Sequence, residues 1–352
     1  MGIMIKNQYF SIKHRFLFYI LGIIPLLTGT QPVNTAEGVQ IPIIYRPEYN
    51  ISFGPLDYLH PFDGSKYGRV FKRITPYIHP SFMYTAEPVT DEQLRLIHTD
   101  AYLNSLKSST VIARIIEIYV LKILPNSLLQ RLILKPMRYA TGGTILGAQL
   151  ALKHGKAINL GGGYHHAKPT KGEGFCVYAD IPIAIKILWK ENPNLKVMVV
   201  DLDAHQGNGV AESLKDELVK PNARVAIFDM YNCLRYPGPL DGTREYITYN
   251  NPVSEGVTEE TYTSILESQL PAALDDFKPD LIIYNAGTDI LAGDKIGGML
   301  VSPQGIVHRD QFVFKQAQLK QIPILMVLSG GYTKQSADVI ATSIINVTNL
   351  YK

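Results

Sequence analysis

Four short apolar runs constrain most what this chain can fold into. They are Ala157 to Leu160, Val197 to Val200, Leu281 to Tyr284 and Ile324 to Leu328, rich in β-branched and aliphatic residues and without polar alternation. That pattern marks strands buried on both faces, as in a parallel sheet. Segments with helical spacing lie between them. In Thr141 to His154 the residues Ile145, Leu146, Gln149 and Leu150 recur at intervals of three and four, and Gly155 follows as a stop. Thr258 to Leu270 opens with Glu259 and Glu260, acids that suit a helix N-terminus. The alternation implies an α/β fold: a single-domain, doubly wound, mostly parallel sheet with helices on both faces.

Each run ends in a polar cluster. The clusters are Gly161-Gly162-Gly163-Tyr164-His165-His166, Asp201-Leu202-Asp203-Ala204-His205, Asn285-Ala286-Gly287-Thr288-Asp289 and Ser329-Gly330-Gly331-Tyr332. Open parallel sheets bind ligands outside the carboxyl ends of their strands. Four strands of one polarity would deliver all four clusters to one edge. Alternate strand residues share a side, so Asp203 and His205 can hold one ligand. Carboxylate and imidazole suit zinc, and a catalytic zinc keeps three protein ligands and one open position. Asp289 is the natural third. For an isolated DxDxH, two carboxylates capping a turn around a core histidine would be as good an account; the other three clusters argue for metal. Neutral imidazoles of His165 and His166 beside that metal can serve as general base and acid. A phosphate-cradling glycine loop would want Lys or Ser/Thr at the helix start instead. The phenol of Tyr332 can donate to a developing oxyanion, although a GGY turn alone is weak evidence.

The 352 residues suffice for one large domain or two ordinary ones. No linker or repeat divides the chain after residue 40, so residues 37–352 are read as one domain. The net charge of +3 resides in residues 1–36, which hold Lys6, Lys13 and Arg15 and no acid; the remainder carries 31 basic and 31 acidic residues. That balance excludes an electrostatic footprint for nucleic acid. Cys176 and Cys233 stand outside any CxxC pair, which excludes a cysteine-rich metal site; two reduced, buried thiols are expected. Lys13-His14-Arg15 precedes the apolar run Phe16 to Leu27. This order is that of a secretory signal, and the run is shorter than the roughly 20 residues of a membrane span. Residues 1–36 are read as a signal peptide or, because the cleavage site is poorly written, an N-terminal membrane anchor. The expected location is exported, periplasmic or membrane-anchored, and cytoplasmic if this segment is misassigned.

Together, GGGYHH, Gly174-Phe175-Cys176, DLDAHQGNG at Asp201–Gly209 and SGGY resemble the zinc-dependent histone deacetylase family, of arginase/deacetylase fold. Closer features resemble its class IV branch: Tyr49-Asn50-Ile51-Ser52-Phe53, Leu59-His60-Pro61-Phe62-Asp63, Tyr284 through Leu291, and Arg309-Asp310. The resemblance runs colinearly from about Ile41 to the C-terminus.

The resemblance implies a hydrolase that removes acyl groups, acetyl or long-chain fatty acyl, from protein lysines by attack of metal-activated water. It implies one zinc per chain on Asp203, His205 and Asp289. His165 and His166 match the paired catalytic histidines, with His166 the proton shuttle, and Tyr332 matches the tyrosine that polarises the acyl carbonyl. Asp201 resembles the carboxylate that orients His165. With Asp229 and Met230 it also falls at a structural potassium site. Gly174, Phe175 and Tyr236 resemble channel walls, and Asp100 a rim carboxylate that holds substrate backbone. Asn208 stands where several relatives carry an acid facing the second histidine. An amide does not favour a charged imidazole as a carboxylate does, so His166 is expected to be less basic. The apolar segment Ser109 to Ala140 is read either as the lining of an acyl pocket or as a helical pair packed on the core. The expected partner is an acylated lysine of a protein or peptide, without nucleic acid, and with a membrane only through residues 1–36 if uncleaved. A deacylase of small amines such as acetylpolyamines is the alternative on the same fold, and a non-catalytic acyl-lysine binder the alternative from another class. A two-manganese ureohydrolase would need further carboxylates where Gln206-Gly207 stand.

Overall fold

Every ladder among the described strands is parallel. The structure, a computed structural model, describes residues 40–52, 54 and 63–351. The signal or anchor segment 1–36, and the motif residues Phe53 and Leu59 to Phe62, lie outside the described residues. The strands are β1 (Ile43–Ile44), β2 (Met83–Tyr84), β3 (Lys156–Asn159), β4 (Val197–Asp201), β5 (Val225–Asn232), β6 (Tyr249–Val253), β7 (Leu281–Asn285) and β8 (Ile324–Val327). They form one eight-stranded sheet in the order β2-β1-β3-β8-β7-β4-β5-β6. The four apolar runs are therefore the four adjacent central strands, β3, β8, β7 and β4. Every residue of β4, β7 and β8 is buried. Successive strand side chains point to opposite faces, so full burial means that both faces are covered.

The helices among the described residues are α1 (Lys66–Ile74), α2 (Asp91–Leu94), α3 (Asp100–Ser105), α4 (Ser109–Ile115), α5 (Asn126–Leu129) and α6 (Lys135–His154). They continue with α7 (Asp180–Glu191), α8 (Asn208–Leu218), α9 (Glu259–Phe277), α10 (Pro303–Leu319) and α11 (Ser336–Asn349). Helix α6 packs on β1, β3 and β8, and α9 on β5 and β6. Gly155 ends α6 at φ +79°, the left-handed stop its position predicts. Thr258 caps α9 by accepting from the Thr261 N–H. That helix runs past Leu270 and through Pro271 to Phe277, because packing of Ala273 and Leu274 in the core outweighs the backbone bond Pro271 cannot donate. No described helix is long and apolar enough to cross a membrane.

Candidate active site

The central strands end in register. Asn159 of β3 pairs with Val327 of β8, Val327 with Asn285 of β7, Asn285 with Asp201 of β4, and Asp201 with Asp229 of β5. The chain beyond that row carries all four polar clusters to one edge. Asp203, His205 and Asp289 converge there, each buried, with one ligand atom apiece within 4.8 Å of the others. His205 Nδ1 lies 3.0 Å from Asp203 Oδ1 and 2.9 Å from Asp289 Oδ2. The second carboxylate oxygens are spoken for: Asp289 Oδ1 accepts from Ala204 N, and Asp203 Oδ2 from Ser329 Oγ and Gly330 N, each at 2.9 Å. A Cβ on Gly330 would lie 2.5 Å from Asp289 Oδ2 and 2.6 Å from Asp203 Oδ2, so only glycine leaves room for both carboxylates.

The electrostatics of this trio suit a cation. Burial, then the adjoining Asp203, pushes Asp289 up to about 7. Burial also acts to raise Asp203, but His165 and His205 hold it well below the usual carboxylate range. Burial acts to lower His205, yet hydrogen bonds to Asp203 and Asp289 push it up to about 10. Two buried carboxylates that share one imidazole proton are what a divalent ion would neutralise, and its donors are the ones zinc prefers. The three residues fit such an ion.

The histidine pair sits beside them. His165 Nδ1 lies 2.8 Å from Asp201 Oδ2, and Asp201 Oδ1 accepts from Asn285 Nδ2 at 2.9 Å. Against the lowering effect of burial, Asp201 and Asp203 push His165 up to about 9. His166 Nδ1 lies 2.8 Å from Asn208 Oδ1. Its pKa falls well below the ordinary value, as expected of a ring facing an amide, but burial is the larger cause and the neighbouring His165 and His205 add to it. Tyr332 stacks edge-on to Phe175 and His205 at 5.9 and 6.3 Å between ring centroids. Burial, then Asp289 and Asp203, raises its phenol well above the usual range. Tyr236 meets the His166 ring edge-on at 4.8 Å.

One cavity joins these groups. His165, His166, Asp203, Gly174, Phe175 and Tyr332 line it, together with Ile116, Ile118, Ile133 and Met137. Ser109 to Ala140 thus both packs on the core and walls the cavity. Asp229 lies behind the site, where it accepts from Gly207 N at 2.9 Å. Its Oδ1 and Asn285 Oδ1 are buried without a hydrogen-bond partner.

One expected site residue is not brought here. Asp100 lies in the first turn of α3, where its carboxylate is 2.7 Å from Arg95 Nε. It borders a separate surface depression with Arg95, Arg138 and Tyr178. Asp100 does not line the cavity that holds the histidine pair. Cys176 and Cys233 are both free, and Cys233 is only half-buried. Several site residues escape a sequence reading. Asp180 at the start of α7 accepts from Gly163 N and Tyr164 N at 2.8 Å and from Thr144 Oγ1 at 2.6 Å, and so shapes the glycine loop. Lys66 is buried, with Nζ donating to Ser329 O and Gly330 O at 2.7 and 3.0 Å. β5, which carries Asp229, was signalled by the apolar run Val225 to Phe228.

The histone deacetylase domain model covers residues 60–348. Histone deacetylase 2 of Arabidopsis thaliana is 44% identical over 311 residues, 88% of this chain and 79% of that protein. An uncharacterized protein of Picosynechococcus is 30% identical over 85% of this chain and 94% of its own length. The crystal structure of the HDA15 HD domain superposes with a TM-score of 0.67 over 88% of each chain, at 21% identity, a likeness of fold. With a family model spanning most of its length and a relative this similar, the chain belongs to the histone deacetylase domain family.

Proposed function

We propose that this chain is a zinc-dependent lysine deacylase of the class IV branch that acts on acylated lysine in proteins or peptides. The clustering of Asp203, His205 and Asp289, with Asp203, His166 and Tyr332 lining one cavity, carries this reading. Asp203, His205 and Asp289 would hold the zinc, which when bound acidifies water and polarises an acyl carbonyl. The chain's own groups do the rest. His166 is neutral at pH 7 and can take a proton from an attacking water. Tyr332 keeps its proton and can donate to the carbonyl oxygen as that atom gains charge. His165, oriented by Asp201, stands ready to protonate the leaving lysine amine. Phe175 and Tyr236 flank the approach of the lysine stem. The unpartnered oxygens of Asp229 and Asn285, beside Asp201, support a potassium ion behind the site.

The cavity wall supports a long acyl chain. Ile116, Ile118, Ile133 and Met137 are apolar and buried, more than an acetyl methyl can use. Each methylene withdrawn from water contributes about 0.8 kcal/mol. Four carbons seated on that wall amount to about 3 kcal/mol, or roughly a hundredfold in kcat/KM. Turnover of acetyl-lysine and myristoyl-lysine peptides should differ by at least that factor, in favour of myristoyl. Chelation should abolish both reactions, and Tyr332→Phe should lower kcat by roughly 10²–10³. Equal turnover in the chelator and Tyr332→Phe samples would sink the mechanism, and equal rates on the two peptides the acyl preference.

A further inference from the structure

Asn208 opens α8 with its side chain buried between His166 and a cluster of charge. Its Oδ1 faces His166 Nδ1 at 2.8 Å, while its Nδ2 lies 3.0 Å from Glu173 Oε1 and 3.4 Å from Asp241 Oδ2. An amide can face a ring with either end, and the two ends demand opposite tautomers. Oxygen toward the ring requires a proton on Nδ1; nitrogen toward the ring requires Nδ1 bare. Ionised carboxylates only accept hydrogen bonds. Two of them behind Asn208 therefore hold its nitrogen and repel its oxygen. Lys168 keeps them charged: its Nζ lies 3.1 Å from Glu173 Oε1, 3.2 Å from Glu212 Oε2 and 3.7 Å from Asp241 Oδ2. Lys171 pairs with the other Glu173 oxygen. Burial acts to raise both carboxyls, but Lys171 and Lys168 hold Glu173, and Thr243 and Lys168 hold Asp241, below the ordinary value.

We propose that Glu173, backed by Asp241 and Lys168, is a positioning residue that locks the Asn208 amide with its oxygen toward His166, fixing the Nδ1–H tautomer and leaving Nε2 free to move the proton. The inference rests on the reading of His166 as the proton-transfer group. Glu173 also directly precedes Gly174 and Phe175 of the cavity wall, and its N–H and carbonyl both bond Cys176. Wall and base thus share one anchor.

The test combines Glu173→Ala, Glu173→Gln, Asn208→Asp and the double variant Glu173→Ala/Asn208→Asp in the full zinc-loaded chain. Glu173→Ala frees the amide to turn. It should lower kcat about ten-fold, part of the roughly 10²–10⁴ that positioned proton transfer contributes, with KM held within about two-fold. Glu173→Gln keeps an acceptor for the amide and should retain most of kcat. Asn208→Asp presents an oxygen whichever way it turns. In the Glu173→Ala background it should recover much of the lost rate, whereas with Glu173 present it meets two like charges and should not help. In ¹⁵N-histidine-labelled protein, the His166 Nδ1 resonance should be of protonated type in the parent chain and lose that character in Glu173→Ala. An unchanged resonance and kcat in Glu173→Ala, or a double variant no faster than Glu173→Ala, would overturn the proposal. The resonance needs no turnover, so it separates failure of the lock from failure of the deacylase reading.

Discussion

His98 is 2% exposed, and both of its ring nitrogens are committed. Nε2 accepts from the Ala179 N–H at 3.0 Å and Nδ1 lies 3.1 Å from Lys168 O. The ring must therefore be neutral, because a proton on Nε2 would face another N–H. Burial pushes its pKa down to about 4, against the opposing carbonyls of Lys168 and Pro169. In the unfolded chain the value is about 6.5. Between these values the unfolded state binds more protons, so the contribution is full above about pH 6.5 and is lost as pH falls to about 4, on the order of 3 kcal/mol. Thermal melts from pH 4.5 to 7 should show a flatter pH dependence for His98→Gln than for the parent chain; identical slopes would remove His98 as the cause. At this scale the sequence was legible where chemistry is local. Asp203 and His205 declare themselves two residues apart, just past the end of β4. Asp100 lies away from that cavity, at a depression a short string does not reveal. Glu173, Asp180 and Asp241 act on residues distant in the chain, so no spacing marks them.

Helix α10 reaches across to clip the two loops that carry Asp203 and Asp289. Arg309 is buried, and its Nη1 donates to Leu202 O at 3.1 Å and to Gly287 O, its Nη2 to Ala286 O at 3.3 Å. Its Nε donates to Asp310 Oδ1 at 2.9 Å, and Asp310 also accepts from Tyr284 OH and Ser343 Oγ. Arg309→Met would strand the Asp310 charge and three carbonyls. Removing one partner of a buried ion pair costs about 3–5 kcal/mol. Urea denaturation should show a loss of that size, and a zinc-competition titration should show weaker binding; a midpoint equal to that of the parent chain would rule the clip out as a stabilising element. Elements followed their sequence signals where burial was uniform, as in the four central strands. They departed where packing overrode a local rule, as at Pro271, or where a strand is two residues long, as in β1 and β2.

A ligand that binds only the folded chain raises its stability by mass action, about 2.7 kcal/mol when its concentration is a hundred times the dissociation constant. Zinc should therefore raise the melting temperature by a few degrees, and a chelator should reverse the rise. Asp289→Asn should abolish the response while leaving a cooperative melt. A metal response that survives in Asp289→Asn would place the ion elsewhere. The fold class was legible in the alternation of buried runs with helical segments. Strand order was not, since it depends on which distant segments pack best against one another. Nothing in Ile324 to Val327 announces that it will lie between Lys156–Asn159 and Leu281–Asn285.

That placement bears on how the protein is made. β8, the last of the described strands in chain order, fills the slot between β3 and β7 at the centre of the sheet. While the chain is being synthesised, both neighbours present unpaired edges until residues 324–327 leave the ribosome, and open edges invite pairing with other chains. Asp203, His205 and Asp289 are all translated by residue 289, yet Gly330 and Ser329, which hold Asp203 in place, arrive just after β8. A nascent chain therefore cannot present a finished site, and a premature stop before residue 324 removes the middle of the sheet rather than its margin.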